Sequence, residues 1–297
     1  MRNASRRGSA AVALCVTLAT TTVIALVSAS AVVAQTPRVE ELVSAVVRVN
    51  THIAPDGRTV PASVVGYDHE SGFGLLRTIE PLKLKPMALG KSAEIKEGDP
   101  VLVASFGGTA MVAGAYVVAK REFAGSWEYM LEEALFTAPP HPAWSGAALI
   151  NREGKLVGVG SLIVGEAVSG SDKTPGNMFV PIDQLTPILG DLISAGRKTG
   201  PGRPWLGLNT EELRGRLFVS RVTPEGPAEK AGIKRGDVVV GVNGEKPKNL
   251  ADFYRKVWAQ GSAGVSIALD VLQDSEVKRL NVKSINRLDH LKLKSTF

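Results

Sequence analysis

The sequence contains a single cysteine, Cys15, and it lies within the first 34 residues. The remaining chain therefore has no disulfide framework, no thiolate nucleophile and no cysteine-based metal site. Its four histidines are scattered, which argues against zinc, and no phosphate-binding glycine loop with a lysine–serine ending is present. We expect neither a metal nor a cofactor.

Dense basic charge and long apolar runs are also missing beyond residue 34. The first 34 residues carry three arginines and no acid, which leaves 32 basic and 29 acidic residues in the rest of the chain. No lysine/arginine run is dense enough to predict binding to nucleic acid, so the charges are interpreted as a solvated surface.

The first 34 residues have the form of a secretory signal peptide. A basic stretch, "MRNASRR", precedes the apolar "AAVALCVTLATTTVIALV" and the small residues "SASAVVA". This pattern predicts cleavage after Ala34 and export to the periplasm or beyond the cell. The alternative is an uncleaved N-terminal anchor, because the apolar run is nearly long enough to span a bilayer, and we expect membrane contact only in that case.

Residues 38–196 show many short apolar runs, rich in valine, isoleucine and leucine and separated by turn residues. This spacing predicts a mostly β domain, a sandwich or a barrel, with a helix in "PIDQLTPILGDLISAG" near its end. The proline- and glycine-rich "RKTGPGRP" then marks a domain boundary.

The sequence pattern of residues 197–284 predicts an α+β domain, and residues 285–297 are expected to form a C-terminal tail. "GPAEKAG" predicts a short helix, "NLADFYRKVWA" an amphipathic helix capped by Asn249, and "QDSE" the turn of a hairpin. "PWLGL" and "PAEKAGIKRGDVVVGVNG" carry the resemblance of this region to a bacterial PDZ domain.

A loop with the sequence of Trp205–Leu208 can direct several backbone N–H groups at one terminal carboxylate, and the strand after it can pair with a peptide. Gly207 permits the close approach, and Arg203 could add positive charge. The alternative is that Trp205 and the leucines only fill the core. The predicted peptide-binding residues are Arg203, Pro204, Trp205, Leu206, Gly207, Leu208, Leu250, Tyr254 and Val257.

The first domain resembles the HtrA/Deg serine proteases of the bacterial envelope. The resemblance rests on "DGRTVPASVVGYDHESGFGLLRT", "MALGKSAEIKEGDPVLVASFGG" and "FTAPPHPAWSGAALINREGKLVGV". It implies a trypsin-like double β-barrel over 38–196, with a shortened first barrel, followed by the PDZ domain. It also implies a possible homo-oligomer.

The resemblance further implies a degenerate active site. The nucleophile position is kept as Ser145, but Ala143 replaces the glycine that supplies an oxyanion N–H. Gly72 occupies the aspartate position, and the segment that should carry the histidine base is missing before "DGR". A serine without a base is a poor nucleophile, so Ser145 is interpreted as vestigial.

Three functional hypotheses follow. The first is a non-catalytic exported protein that binds hydrophobic peptide or protein C-termini through its PDZ domain, as a scaffold or in protein quality control. The second is an active endopeptidase that uses Ser145 with an unconventional base such as His52 or His141. The third is self-recognition, in which the free carboxylate of Phe297 enters the groove of its own or a neighbouring chain.

Overall fold

The computed structural model describes residues 60–170 and 174–291, together with one strand at Ala13–Cys15. These residues form two compact units. The second contains Glu122–Glu132 as well as the described part of Thr199–Lys294. No helix in the described ranges is long and apolar enough to cross a bilayer. The hypotheses about His52 and Phe297 fall outside the described residues.

A three-stranded sheet forms one part of the first unit. It consists of β1 (Ala13–Cys15), β2 (Ala62–Tyr67) and β3 (Gly74–Thr78), with β3 in the middle. Within the described residues, the first of the two barrels implied by the resemblance is thus an open sheet. β1 lies in the predicted leader, which we expected outside the fold. Its pairing with β3 covers an edge that would otherwise be unpaired.

A closed six-stranded barrel follows, most of it in the first unit, while the end of its β5–β6 hairpin belongs to the second. Its strands are β4 (Pro100–Ala104), β5 (Val112–Gly125), β6 (Tyr129–Ala138), β7 (Ala148–Ile150), β8 (Leu156–Val164) and β9 (Gly176–Pro181). Inward-facing side chains fill it, including the fully buried Val103, Leu149 and Phe179. Helix α1 (Leu189–Ala195) follows and ends at Gly196, whose φ of 70° is the left-handed form that glycine favours. The predicted β-rich fold and terminal helix are confirmed.

The second unit is built on a five-stranded antiparallel sheet whose strands lie in sequence order. These are β10 (Leu208–Leu213), β11 (Arg216–Val222), β12 (Val238–Val242), β13 (Ser266–Gln273) and β14 (Glu276–Lys283). β10 is an edge strand, since β11 is its only neighbour within the sheet. The helices are α2 (Pro227–Lys230), α3 (Leu250–Trp258) and α4 (Arg287–Leu291). The last of these lies in the segment predicted as a tail.

Local sequence signals explain these elements. The side chain of Asn249 accepts a hydrogen bond from the Asp252 N–H at 2.8 Å, which is the predicted cap of α3. Asp274 and Ser275 both have positive φ, as a two-residue hairpin turn requires, and they lie in the predicted "QDSE" turn. The apolar face of α3 packs on the sheet, where Phe253 is fully buried.

Gly160 in β8 supports the loop that contains Ser145. A Cβ atom added at Gly160 would overlap with the Trp144 carbonyl oxygen, so Gly160→Ala must displace that loop or the strand. We expect this substitution to lower the free energy of unfolding by about 1–3 kcal/mol, as overpacking does in other cores. Gly165→Ala is the matched control, because a Cβ there meets nothing within 4 Å. Urea denaturation of both variants tests this, and equal midpoints would contradict it.

Candidate functional site

The loop before β10 holds a carboxylate. The N–H groups of Gly207 and Leu208 donate to Oε1 of Glu128 at 2.7 and 2.8 Å, and the N–H of Leu206 donates to Oε2 at 2.9 Å. Gly207 has a φ of 81°, which turns consecutive N–H groups toward one point and disfavours a residue with a Cβ. The loop therefore has the donor arrangement that its sequence predicted.

Glu128 reaches the loop from the turn between β5 and β6. This turn is Ser126–Glu128, and Glu128 has a φ of 56°, a conformation that is uncommon outside glycine, asparagine and aspartate. The Trp127 ring stacks on Tyr129 with centroids 5.8 Å apart. A Cβ at Gly125 would lie 2.7 Å from the Trp127 ring, so a larger residue there would have to move that ring.

Three further hydrogen bonds hold this end of the hairpin against the edge strand and the helix. The Thr210 N–H of β10 donates to the Ser126 carbonyl at 2.8 Å, as a strand does when it adds to a sheet edge. The Tyr254 hydroxyl of α3 donates to the Gly125 carbonyl at 2.7 Å and accepts from the Glu128 N–H at 3.1 Å. The loop, β10 and α3 thus all contact this turn.

Burial dominates the electrostatics of Glu128 and raises its pKa to about 7. The loop N–H groups and the positive charge of Arg287 act in the opposite direction and do not cancel the effect. Burial also raises the pKa of Tyr254, which keeps its hydroxyl protonated and able to donate. Arg287 lies in α4 and donates to the Trp127 carbonyl at 2.7 Å.

The predicted binding residues divide into two groups in the structure. The Gly207 and Leu208 amides face the carboxylate, whereas the side chains of Leu206, Leu208, Leu250, Tyr254 and Val257 belong to the hydrophobic core. Pro204 and Trp205 are buried, and the Trp205 ring lies 4.9 Å from that of His290.

Arg203 lies beside an aromatic ring, and its suggested role at the carboxylate stays a prediction. Its guanidinium lies 4.3 Å from the Trp258 ring centroid, where stacking is favourable, and the arginine whose charge acts on the carboxylate is Arg287. Glu128 and Arg287 were both missed from the sequence. They lie about 80 residues on either side of the loop, and no local motif links them to it.

Residues 141–147, here called the serine loop, form two successive turns before β7. Ser145 is exposed, and within the described residues its hydroxyl has no hydrogen-bond partner. The N–H of Gly146 donates to the Gly160 carbonyl at 2.8 Å, and the N–H of Ala147 donates to that of Trp144 at 3.0 Å. Gly146 has a φ of 73°, which glycine adopts readily, so the turn itself accounts for the glycine after Ser145.

His141 is a buried structural residue of the same loop. Its N–H donates to Oδ1 of Asn177 at 2.6 Å, and its Nδ1 accepts from the N–H of Ala143 at 3.1 Å. The Ala143 N–H, which occupies the oxyanion-donor position, is therefore directed at His141. The Nδ1 of His141 is thus engaged by a backbone donor of its own loop.

Gly72, which the resemblance places at the aspartate position, has a φ of 83° and closes a turn by donating its N–H to the Asp68 carbonyl at 2.9 Å. The nearby carboxylate of Asp68 is buried and accepts from the Ser71 N–H at 2.8 Å. His69 contacts the Tyr67 hydroxyl through Nδ1 at 3.0 Å. None of these hydrogen bonds involves Ser145.

Metal-ligand chemistry is not indicated in the part of the chain that the structure describes. Residues 60–170 and 174–291 contain no group of three or more histidine, cysteine, aspartate or glutamate side chains placed to hold an ion.

Comparison with known proteins assigns both parts of the chain. The family described as trypsin-like peptidase domain matches residues 15–159, and the family described as PDZ domain matches residues 204–284. The chain is thus a trypsin-like domain followed by a PDZ domain. A probable periplasmic serine protease do/HhoA-like of Haemophilus influenzae is 30% identical over 244 residues, which cover 77% of this chain and 51% of that protein.

Serine protease PepD of Mycobacterium tuberculosis is 30% identical over 226 residues, which cover 72% of this chain and 48% of the relative. The chain belongs to the HtrA-type family with a PDZ domain. It spans about half the length of these curated relatives. Among solved structures, an HtrA-type protease AlgW with decapeptide has a TM-score of 0.49 at 24% identity, over 77% of this chain and 73% of the other.

The raised pKa of Glu128 predicts a pH-dependent stability. The carboxyl group binds its proton more tightly in the folded state, so its contribution is complete below the ordinary pKa of 4.5 and is lost as the pH rises through about 7. Glu128→Gln removes this titration. We expect the wild type to lose stability relative to Glu128→Gln between pH 4.5 and 7, with no further change above pH 8.

Thermal unfolding of both proteins across this pH range measures the difference. The other charged or hydroxyl groups that act on Glu128, Arg287 and Tyr254, do not titrate in this window, since an arginine stays charged and the tyrosine pKa is raised. A constant difference in Tm from pH 4.5 to 8 would contradict the assignment.

Proposed function

We propose that this chain is an exported HtrA-like pseudoprotease that binds peptide or protein C-termini through its PDZ domain. The observation that carries the proposal is the convergence of the Leu206, Gly207 and Leu208 N–H groups on one carboxylate. A peptide C-terminus presents the same charged group, and the edge strand β10 can pair with the residues before it. Scaffolding or envelope protein quality control would use such binding.

The geometry of the serine loop supports the non-catalytic half of the proposal. Gly72 has no carboxylate, and loss of the triad aspartate alone lowers kcat by about four orders of magnitude in enzymes of this mechanism. The Ala143 N–H and the His141 Nδ1 bind each other, so neither serves an oxyanion or a base. Export is supported by the signal-peptide pattern and by relatives whose names include "periplasmic".

An active endopeptidase is the second candidate. It is favoured by the exposed Ser145 and by relatives that are named as proteases. It requires a base for Ser145, either His52, which lies outside the described residues, or His141, whose Nδ1 would have to give up the Ala143 N–H.

Peptide binding can be tested with heptapeptides that have a hydrophobic last residue and a free carboxylate. We expect these to bind at least about tenfold more tightly than the same peptides with an amidated end, because charged hydrogen bonds contribute about 1.5–3 kcal/mol. Fluorescence anisotropy measures both affinities. Equal affinities would show that the carboxylate loop is not the binding site.

Proteolysis can be tested with unfolded casein and the variant Ser145→Ala. We expect no cleavage above background by the wild type and no difference between the two proteins. The physical reason is that an unactivated serine hydroxyl is protonated and weakly nucleophilic at neutral pH. Cleavage that Ser145→Ala abolishes would establish the second candidate instead.

A further inference from the structure

The carboxylate loop of the PDZ domain is already occupied by a segment of the same chain. Glu128 is 6% exposed, and both of its carboxylate oxygens accept N–H groups from the loop. The segment Gly125–Tyr129, here called the plug, also forms the hydrogen bond between Ser126 and β10. The plug therefore occupies both sets of donors with which such a groove would bind a peptide. These are the N–H groups of the carboxylate loop and an N–H group of the edge strand β10.

We infer that the plug is a built-in competitive ligand of the PDZ domain, with the Glu128 side chain in place of a terminal carboxylate. This inference rests on the peptide-binding function proposed above and names its regulation. A peptide C-terminus and Glu128 need the same three N–H donors, so both cannot bind at once. Apparent peptide affinity is then the intrinsic affinity reduced by the fraction of molecules whose plug is released.

Beside the plug lies a groove in which a bound peptide would compete with the plug for the edge strand as well as for the carboxylate loop. Its walls are the middle of β10 and the start of α3, including Thr210 and Leu250. The third wall comes from the hairpin itself, through Glu122, Ala124 and Ser126. A peptide that adds to β10 would need the Thr210 N–H that Ser126 now uses.

Several features make the plug releasable rather than permanent. Glu128 is held at a φ of 56°, which a glutamate adopts at an energetic cost. Outside the groove, Arg255 of α3 forms ion pairs with Glu122 and Glu132 on the two strands of the hairpin. Arg255 is 44% exposed, and ion pairs at this exposure contribute little free energy. They therefore favour the bound plug only weakly.

The experiment compares the full chain with Glu128→Gly, which removes the carboxylate and suits the positive φ at this position. Asp274→Gly is the matched control, since it also removes a hairpin carboxylate at a positive φ, 51°, in the same unit. Anisotropy with a pool of free-carboxylate heptapeptides, each ending in valine, leucine, isoleucine, phenylalanine or alanine, gives the affinities. We expect Glu128→Gly to bind about tenfold or more tightly than the wild type, and Asp274→Gly to match the wild type.

A second variant, Arg255→Glu, should favour release of the plug without changing any residue of the carboxylate loop. Arg255→Glu places three acidic side chains together and should raise peptide affinity about threefold, whereas the double variant E132R/R255E should return it toward the wild-type value. Amide hydrogen exchange at Leu206–Leu208 should be slow in the wild type and in Asp274→Gly, and faster in Glu128→Gly.

The outcomes separate the two proposals. Equal binding by wild type and Glu128→Gly overturns the competition and leaves peptide binding intact. If exchange shows the loop released in Glu128→Gly but neither protein binds the pool at millimolar concentration, peptide binding fails and the competition fails with it. Slow exchange at the loop in Glu128→Gly would overturn the inference directly, because another group would then occupy the donors.

Discussion

The hydrogen bonds between the Glu128 carboxylate and the loop at Leu206–Leu208 are the interaction on which the second unit depends. They join two segments about 80 residues apart and account for why Glu122–Glu132 belongs to this unit. The loop donors need an acceptor when they are buried, and an unpaired buried N–H is costly. In this structure the acceptor is the carboxylate of Glu128, which is itself buried and desolvated.

Desolvation and hydrogen bonding oppose each other at this carboxylate. Three N–H donors and the charge of Arg287 favour the ionised form, yet burial outweighs them and raises the pKa to about 7. A protonated acid still accepts hydrogen bonds, so the contact survives the loss of charge. The consequence is a contact whose strength changes between mildly acidic and neutral pH, a range through which an exposed glutamate would stay charged.

The sequence was sufficient for the features that depend on local signals. The strands, the cap at Asn249, the turn at Asp274 and the donor geometry around Gly207 all follow from residues within a few positions of one another. Glu128 and Arg287 were not predictable in this way, because their roles come from tertiary contacts. A partial signal was present at Glu128, where "GSWEY" places a charged residue between two aromatic residues and a glycine, but nothing local gives the partner of that charge.

The serine loop and the PDZ loop share one property. In each, backbone N–H groups that could bind a substrate or a peptide donate instead to a side chain of the same chain. At the serine loop, the Ala143 N–H donates to His141 and does not face a substrate oxygen. At the PDZ loop, the amides bind Glu128 and do not face a peptide. The first arrangement lies within one turn, and Asn177 holds the His141 backbone beside it. The second joins separate segments through a residue at positive φ, and the function proposed for this chain therefore rests on the groove and not on Ser145.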